Sequence, residues 1–218
     1  MGIADRHVAA PPELDHGTRP RSDIRGFLVH MAEGDNVAAY LGRDPARGVS
    51  VNYTVEHDGE IVSMVPEGHI AGSVNPNTIR TTTTGYYGAE HARHVLRDLW
   101  RNPNRGVIAI ETAGRARAGP NQRQVDSLVR LFGDCRRRYP EIKPLGHRDL
   151  QDVKPCPGTT QAIKHMFTLM GGHGKDYRKP VPVPPPPPLP VIDLDAVRKL
   201  ARQGMLDEVL AAIAAIRA

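Results

Sequence analysis

Val107-Ile108-Ala109-Ile110-Glu111 is the stretch that decides the fold. Four consecutive apolar residues have no polar face to turn to water, so the run suits a central strand covered on both sides by other elements. Glu111 at its end is out of place unless it faces a site, because an ionised carboxyl removed from water is costly. Upstream, Gly26-Phe27-Leu28-Val29 reads as a second short buried strand that delivers His30 at its end. Val49 to Val55 is rich in strand formers, His57-Asp58-Gly59 supplies an Asp-Gly turn, and Glu60 to Val65 returns, which predicts a hairpin.

Helical spacing fills the intervals between these strands. Asp35-Asn36 can cap a short helix through Val37 to Leu41, and Gly88 to Trp100 places apolar residues at helical period until Asn102-Pro103 stops it. Pro120 opens a long amphipathic helix to about Arg138, whose three arginines complement the dipole. Thr159 or Thr160 caps a last helix to Leu169, closed by Gly171-Gly172. Strands interspersed with helices over this length predict an α/β domain. The polar, Thr-rich Glu67 to Gly85 has no period and is expected to be a functional loop lining a groove.

At 218 residues the chain can bury one real core with a small appendage. The formal charge of +5 favours an anionic partner such as acidic wall polymer or nucleic acid, although an Arg-rich composition is explained equally well by codon usage. Met1 to Asp23 carries acids and prolines with no apolar core, so it does not read as a signal peptide, and no stretch approaches the ~18 apolar residues of a membrane span. These features predict a cytoplasmic product, in which Cys135 and Cys156 are thiols, with Cys135 a buried helix residue.

The chemistry concentrates in Leu145-Gly146-His147-Arg148-Asp149-Leu150 and Lys154-Pro155-Cys156-Pro157-Gly158. An imidazole and a thiol nine positions apart, in a segment too rich in Pro and Gly to be one helix, are the ligand types of a Zn²⁺ site on loops. A catalytic site needs three protein ligands, and His30 is the best third. The rival is a cysteine nucleophile at Cys156, against which stand Pro155 and Pro157 on either side of it and two histidines better suited to metal. His91 and His94 lie i, i+3 on a helix and are read as its aqueous face.

Ligands in the order His30, His147, Cys156, together with Val29-His30, Asn52-Tyr53, Ile110-Glu111, Gly146 to Asp149 and Lys154 to Gly158, resemble the zinc-dependent N-acetylmuramoyl-L-alanine amidases, the family shared by phage lysozyme-type amidases and peptidoglycan recognition proteins. The resemblance spans roughly residues 22 to 170. It implies a mixed central β-sheet flanked by helices, and hydrolysis of the amide joining N-acetylmuramic acid to the L-alanine of the stem peptide. By the same resemblance Lys154 would meet the oxyanion, and His69 and Arg148 are candidates for substrate binding. Glu111 matches the base of the cytosolic muropeptide amidases, whereas Tyr53 matches the tyrosine on which lysozyme-type members depend, so the proton acceptor stays open between them. Asp149 can orient a ligand from behind or pair with Arg148.

The expected organisation is a flexible arm over 1–22, a zinc amidase domain over 23–172, a Pro-rich linker over 173–190 and an amphipathic helical segment over 191–218. The last needs a partner surface, by self-association or wall contact. The expected partner is peptidoglycan, with neither nucleic acid nor membrane insertion. The expected role is a phage endolysin held in the host cytoplasm until release to the wall. A non-catalytic peptidoglycan receptor and a cytosolic muropeptide-recycling amidase are the rivals; members of the first usually lack the cysteine ligand, and those of the second carry aspartate in its place.

Overall fold

The structure is a computed structural model that describes residues 3–43, 45–79, 89–151 and 156–171. Lys154, the linker and the helical segment 191–218 lie outside the described residues. The strands are β1 (Arg6–His7), β2 (Asp15–Thr18), β3 (Gly26–Met31), β4 (Tyr53–Val55), β5 (Ile61–Ser63), β6 (His69–Ala71), β7 (Val107–Thr112) and β8 (Lys143–Gly146). The helices are α1 (Val37–Leu41), α2 (Ala89–Leu96), α3 (Pro103–Gly106), α4 (Gln122–Arg138) and α5 (Gln161–Leu169).

Six strands form a mixed sheet in the order β1-β5-β4-β7-β3-β8, and β2 with β6 forms a small second sheet. The apolar run Val107 to Ile110 lies in β7, parallel to both β3 and β4 and therefore interior. Its alternate residues serve two cores. Ile108 and Ile110, with Phe27 and Val29 of β3, pack against Val125, Leu128, Leu131 and Phe132 of α4 and Ile163, Met166 and Phe167 of α5. Ala109, with Leu28 and Leu145, packs on the other face against Val37 and Leu41 of α1 and Ala92, Val95 and Leu96 of α2. Fully burying one such side chain stabilises by about 1.5–3 kcal/mol, so truncating any of them would cost more than any surface contact contributes.

α4 begins at Gln122, two residues later than Pro120 suggests, because Asn121 is the cap. Its side chain accepts from the Gln124 N–H while the Gln124 side chain accepts from the Asn121 N–H, both at 3.0 Å. This reciprocal pair satisfies two N–H groups that the first turn leaves unpaired. The α1 start is also capped, though not by Asn36: the Glu56 carboxylate accepts from Val37 N–H at 3.2 Å and Ala38 N–H at 2.8 Å.

Three expectations are corrected. The segment 1–22 is not a flexible arm over its described part: β1 adds a parallel edge strand to β5, and β2 pairs with β6. Arg19 anchors it. Its guanidinium is buried and donates to the carbonyls of Glu67 (2.9 Å), Asn104 (2.8 Å), Arg105 and Val107. Burial brings its pKa down to about 10 despite the anions around it. The loop expected over 67–85 is not without regular structure in its described part, 67–79, which supplies β6 and a short 3-10 turn, Pro76–Thr78; residues 80–85 lie outside the described residues. His91 is not on an aqueous face: it is buried beside the Pro144 carbonyl, and burial lowers its pKa to about 4.

Candidate metal centre and active site

Three parallel strands end at one place. His30 is the fifth residue of β3, Glu111 is its register partner on β7, and His147 follows β8, whose Gly146 is level with Val29. Ligand sites in such sheets form at the carboxyl ends of the strands, where side chains from neighbouring strands converge without blocking one another. Cys156 reaches the same point from its loop, held by its carbonyl accepting from Arg148 N–H at 2.9 Å.

His30, His147 and Cys156 are all buried, and their ligand atoms lie within 4.8 Å of one another. The two Nδ1 atoms are 2.9 Å apart. Tetrahedral Zn²⁺ with bonds of about 2.0–2.1 Å puts two nitrogens roughly 3.3 Å apart, so the cluster is already near metal spacing. The protons are arranged to match. Gln151 Oε1 lies 2.8 Å from His147 Nε2, so that nitrogen carries the hydrogen and donates, and Nδ1 keeps its lone pair for a metal. Gln151 is itself held, donating to Asn75 O at 3.1 Å. Cys156 Sγ accepts from the Met31 N–H at 2.9 Å, an interaction that favours thiolate. Two imidazole nitrogens and a sulfur, preset in this way, fit Zn²⁺.

The cluster sits in a cavity of about 450 Å³ lined also by Glu33, Glu111, Ser73 and an apolar wall of Val37, Leu41 and Val49. Among the described residues no hydrogen-bond partner reaches the Glu111 carboxyl. Burial, and then the charge of Glu33, push its pKa up to about 8.

Tyr53 does not join this group. It pairs with Ile110 in register, whereas Thr54 pairs with Glu111, and adjacent residues of a strand point to opposite faces. The Tyr53 hydroxyl lies on the α4 side of the sheet and donates to Glu67 Oε1 at 2.9 Å; burial, and then the charge of Glu67, raise its pKa. Glu67 belongs to a part-buried polar network with Arg138 and Tyr139. Burial alone would push the Glu67 carboxyl up, but its hydrogen bonds from Arg138, Tyr53 and Tyr139 and the Arg138 charge hold it below the usual range.

The other candidates scatter. His69 lies on β6, paired at 2.6 Å with Asp15 of β2, and does not line the metal cavity. Its neighbourhood includes a second cavity of about 500 Å³ lined by His16, Ile70 and Asn75, which shares Val49 and Ser73 with the first. Arg148 follows a ligand, but its side chain is not part of the cavity lining. Asp149 accepts from the Gly146 N–H at 2.8 Å and so braces the turn that carries His147.

Residues 20–159 match the family model of N-acetylmuramoyl-L-alanine amidase. The chain belongs to that amidase family. Solved structures with a similar fold include the selenomethionine derivative of AmpD (TM-score 0.54, 20% identity, covering 78% of this chain and 96% of that one). Another is the endolysin N-acetylmuramoyl-L-alanine amidase LysCS from Clostridium intestinale URNW (TM-score 0.51, 16% identity, 77% and 97% covered). At these identities the likeness speaks for the fold alone. No curated protein matches the chain. For this amidase, two residues of the centre escaped the sequence reading: Gln151, signalled only by its i+4 spacing from His147, and Glu33, three residues past His30 on the loop leaving β3.

Proposed function

We propose that the chain is a zinc-dependent amidase that cleaves the bond between N-acetylmuramic acid and L-alanine and serves to degrade the bacterial wall, as an endolysin does. The observation that carries the reading is the preset His30, His147 and Cys156 cluster opening into a cavity that also holds the Glu111 carboxyl, which has no hydrogen-bond partner among the described residues. Zn²⁺ bound there supplies Lewis-acid polarisation of a carbonyl and lowers the pKa of water from 15.7 to about 7. Glu111 takes the proton of the attacking water and returns it to the leaving alanine nitrogen, the two halves of general base and general acid work. The Tyr53 hydroxyl, on the opposite face and donating to Glu67, supports Glu111 over Tyr53 in this role. Val37, Leu41 and Val49 give the lactyl and alanine methyl groups an apolar wall. Lys154, two positions before a ligand in sequence, is the candidate donor to the developing oxyanion.

A thiolate as third ligand favours the wall-degrading reading, and the complete ligand set weighs against a receptor without catalysis. Recycling of soluble muropeptides is the second reading, favoured by Glu111 in the position of a base at the end of β7. Turnover of zinc-loaded protein on intact sacculi against soluble anhydro-muropeptides separates the two. Faster release of stem peptides from sacculi, at matched concentrations of cleavable bonds, supports wall degradation; activity confined to the soluble substrate overturns it.

A further inference from the structure

Glu33 lines the metal cavity and is held in a backbone conformation that side chains rarely adopt, with φ at 57°. Glycine takes that conformation without strain, so a glutamate there points to a use for its side chain. One carboxylate oxygen is pinned, Oε1 accepting from Ala116 N–H at 2.8 Å, and the loop is fixed again by Gly114 N–H donating to Gly34 O at 2.7 Å. The residue is exposed, and among the described residues no cation lies within ion-pair distance of it. The second oxygen is therefore available to whatever enters. Its charge is felt across the cavity, where it adds to burial in raising the proton affinity of Glu111.

We infer that Glu33 sets specificity on the peptide side of the cavity, favouring stem peptides whose second residue carries an amidated α-carboxyl over those carrying the free acid. The inference rests on the amidase reading above. The sugar and the lactyl group flanking the scissile amide are neutral, and the L-alanine side chain is a methyl. In stem peptides whose second residue continues the chain through its side-chain carboxyl, that residue's α-carboxyl is left over and is the nearest ionisable group, roughly 6–7 Å along an extended chain. A cavity of about 450 Å³ is large enough to enclose both. A free carboxylate there meets a fixed like charge, whereas a primary amide donates an N–H to the open oxygen of Glu33.

The test uses two muramoyl tripeptides that differ only in whether that α-carboxyl is amidated, with zinc-loaded parent and Glu33→Gln. The Gln side chain keeps an acceptor for the Ala116 N–H, so the loop stays pinned, and zinc content is checked in both. The expected result is a parent preference for the amidated tripeptide of at least about fivefold in kcat/KM, carried mainly by KM, that shrinks toward unity in Glu33→Gln. Calorimetric binding of the same pair to zinc-free protein should show the same ordering and the same loss. Hydrolysis of both tripeptides without preference, or a preference that Glu33→Gln leaves intact, overturns the inference while leaving the amidase reading standing. Hydrolysis of neither overturns the amidase reading and this inference with it.

Discussion

Replacing Glu111 by Gln should stabilise the metal-free protein, and by an amount that depends on pH. The carboxyl ionises near 4.5 in an unfolded chain and near 8 in the fold, because burial and the Glu33 charge disfavour its anion. Below pH 4.5 both states hold the proton and the residue costs nothing. Between 4.5 and 8 the unfolded chain releases its proton while the fold retains it, so stability falls as pH rises, and above 8 the loss is complete. At 1.36 kcal/mol per unit, with allowance for the side of the residue open to the cavity, the loss is about 3–5 kcal/mol. Gln cannot ionise and escapes it. Thermal melts of chelator-treated protein should therefore coincide for parent and Glu111→Gln near pH 4 and separate by roughly 6–20 °C at pH 8, with the variant higher. Added Zn²⁺ should narrow the gap, because a nearby cation favours the carboxylate. A difference that does not change with pH, or a variant less stable at pH 8, would refute the reasoning that this carboxyl is held against its preference.

Three further outcomes follow from the same structure. Gln151→Leu removes the acceptor that fixes the His147 tautomer, and should weaken zinc affinity by about 10–100-fold in a chelator competition while the fold's circular dichroism is retained; unchanged affinity would mean the ring is held in some other way. Arg19→Ala leaves several buried carbonyls without a donor and should cost about 3 kcal/mol or more in urea unfolding; a loss below about 1 kcal/mol would return the N-terminal segment to the role of a loose arm. Thr112 has a buried hydroxyl with no hydrogen-bond partner among the described residues, so Thr112→Val should be neutral or stabilising by about 1 kcal/mol, and a clear loss of stability would contradict that picture.

The centre was legible in the sequence because its residue types are chemically unusual where they stand. A carboxyl closing an apolar run, a histidine ending another, and a histidine and cysteine among prolines and glycines each lack a structural reason to be there. What escaped depends on geometry that no local pattern carries. β8 is only Lys143-Pro144-Leu145-Gly146, and its proline and glycine disguise a strand. The proline is tolerated because β8 lies at the edge of the sheet, where a missing N–H breaks no ladder. The N-terminal strands are two and four residues long, and the Arg19 anchor is made to carbonyls as far as 88 positions away. Tyr53, a candidate by resemblance alone, lies on the face of the sheet opposite Glu111; a shift of one residue in register reverses the face, and sequence alone does not give the register.

The most direct test of the account is to identify the bond that is cut. Purified sacculi would be incubated with protein carrying measured zinc and with Cys156→Ser, and the soluble products resolved by mass spectrometry. The account predicts about one zinc per chain, stem peptides beginning with a free L-alanine amine, and glycan strands that keep their lactyl carboxyl, with both metal and release lost in Cys156→Ser. Normal release by zinc-free Cys156→Ser, or products cut within the glycan or between two amino acids of the stem, would contradict it.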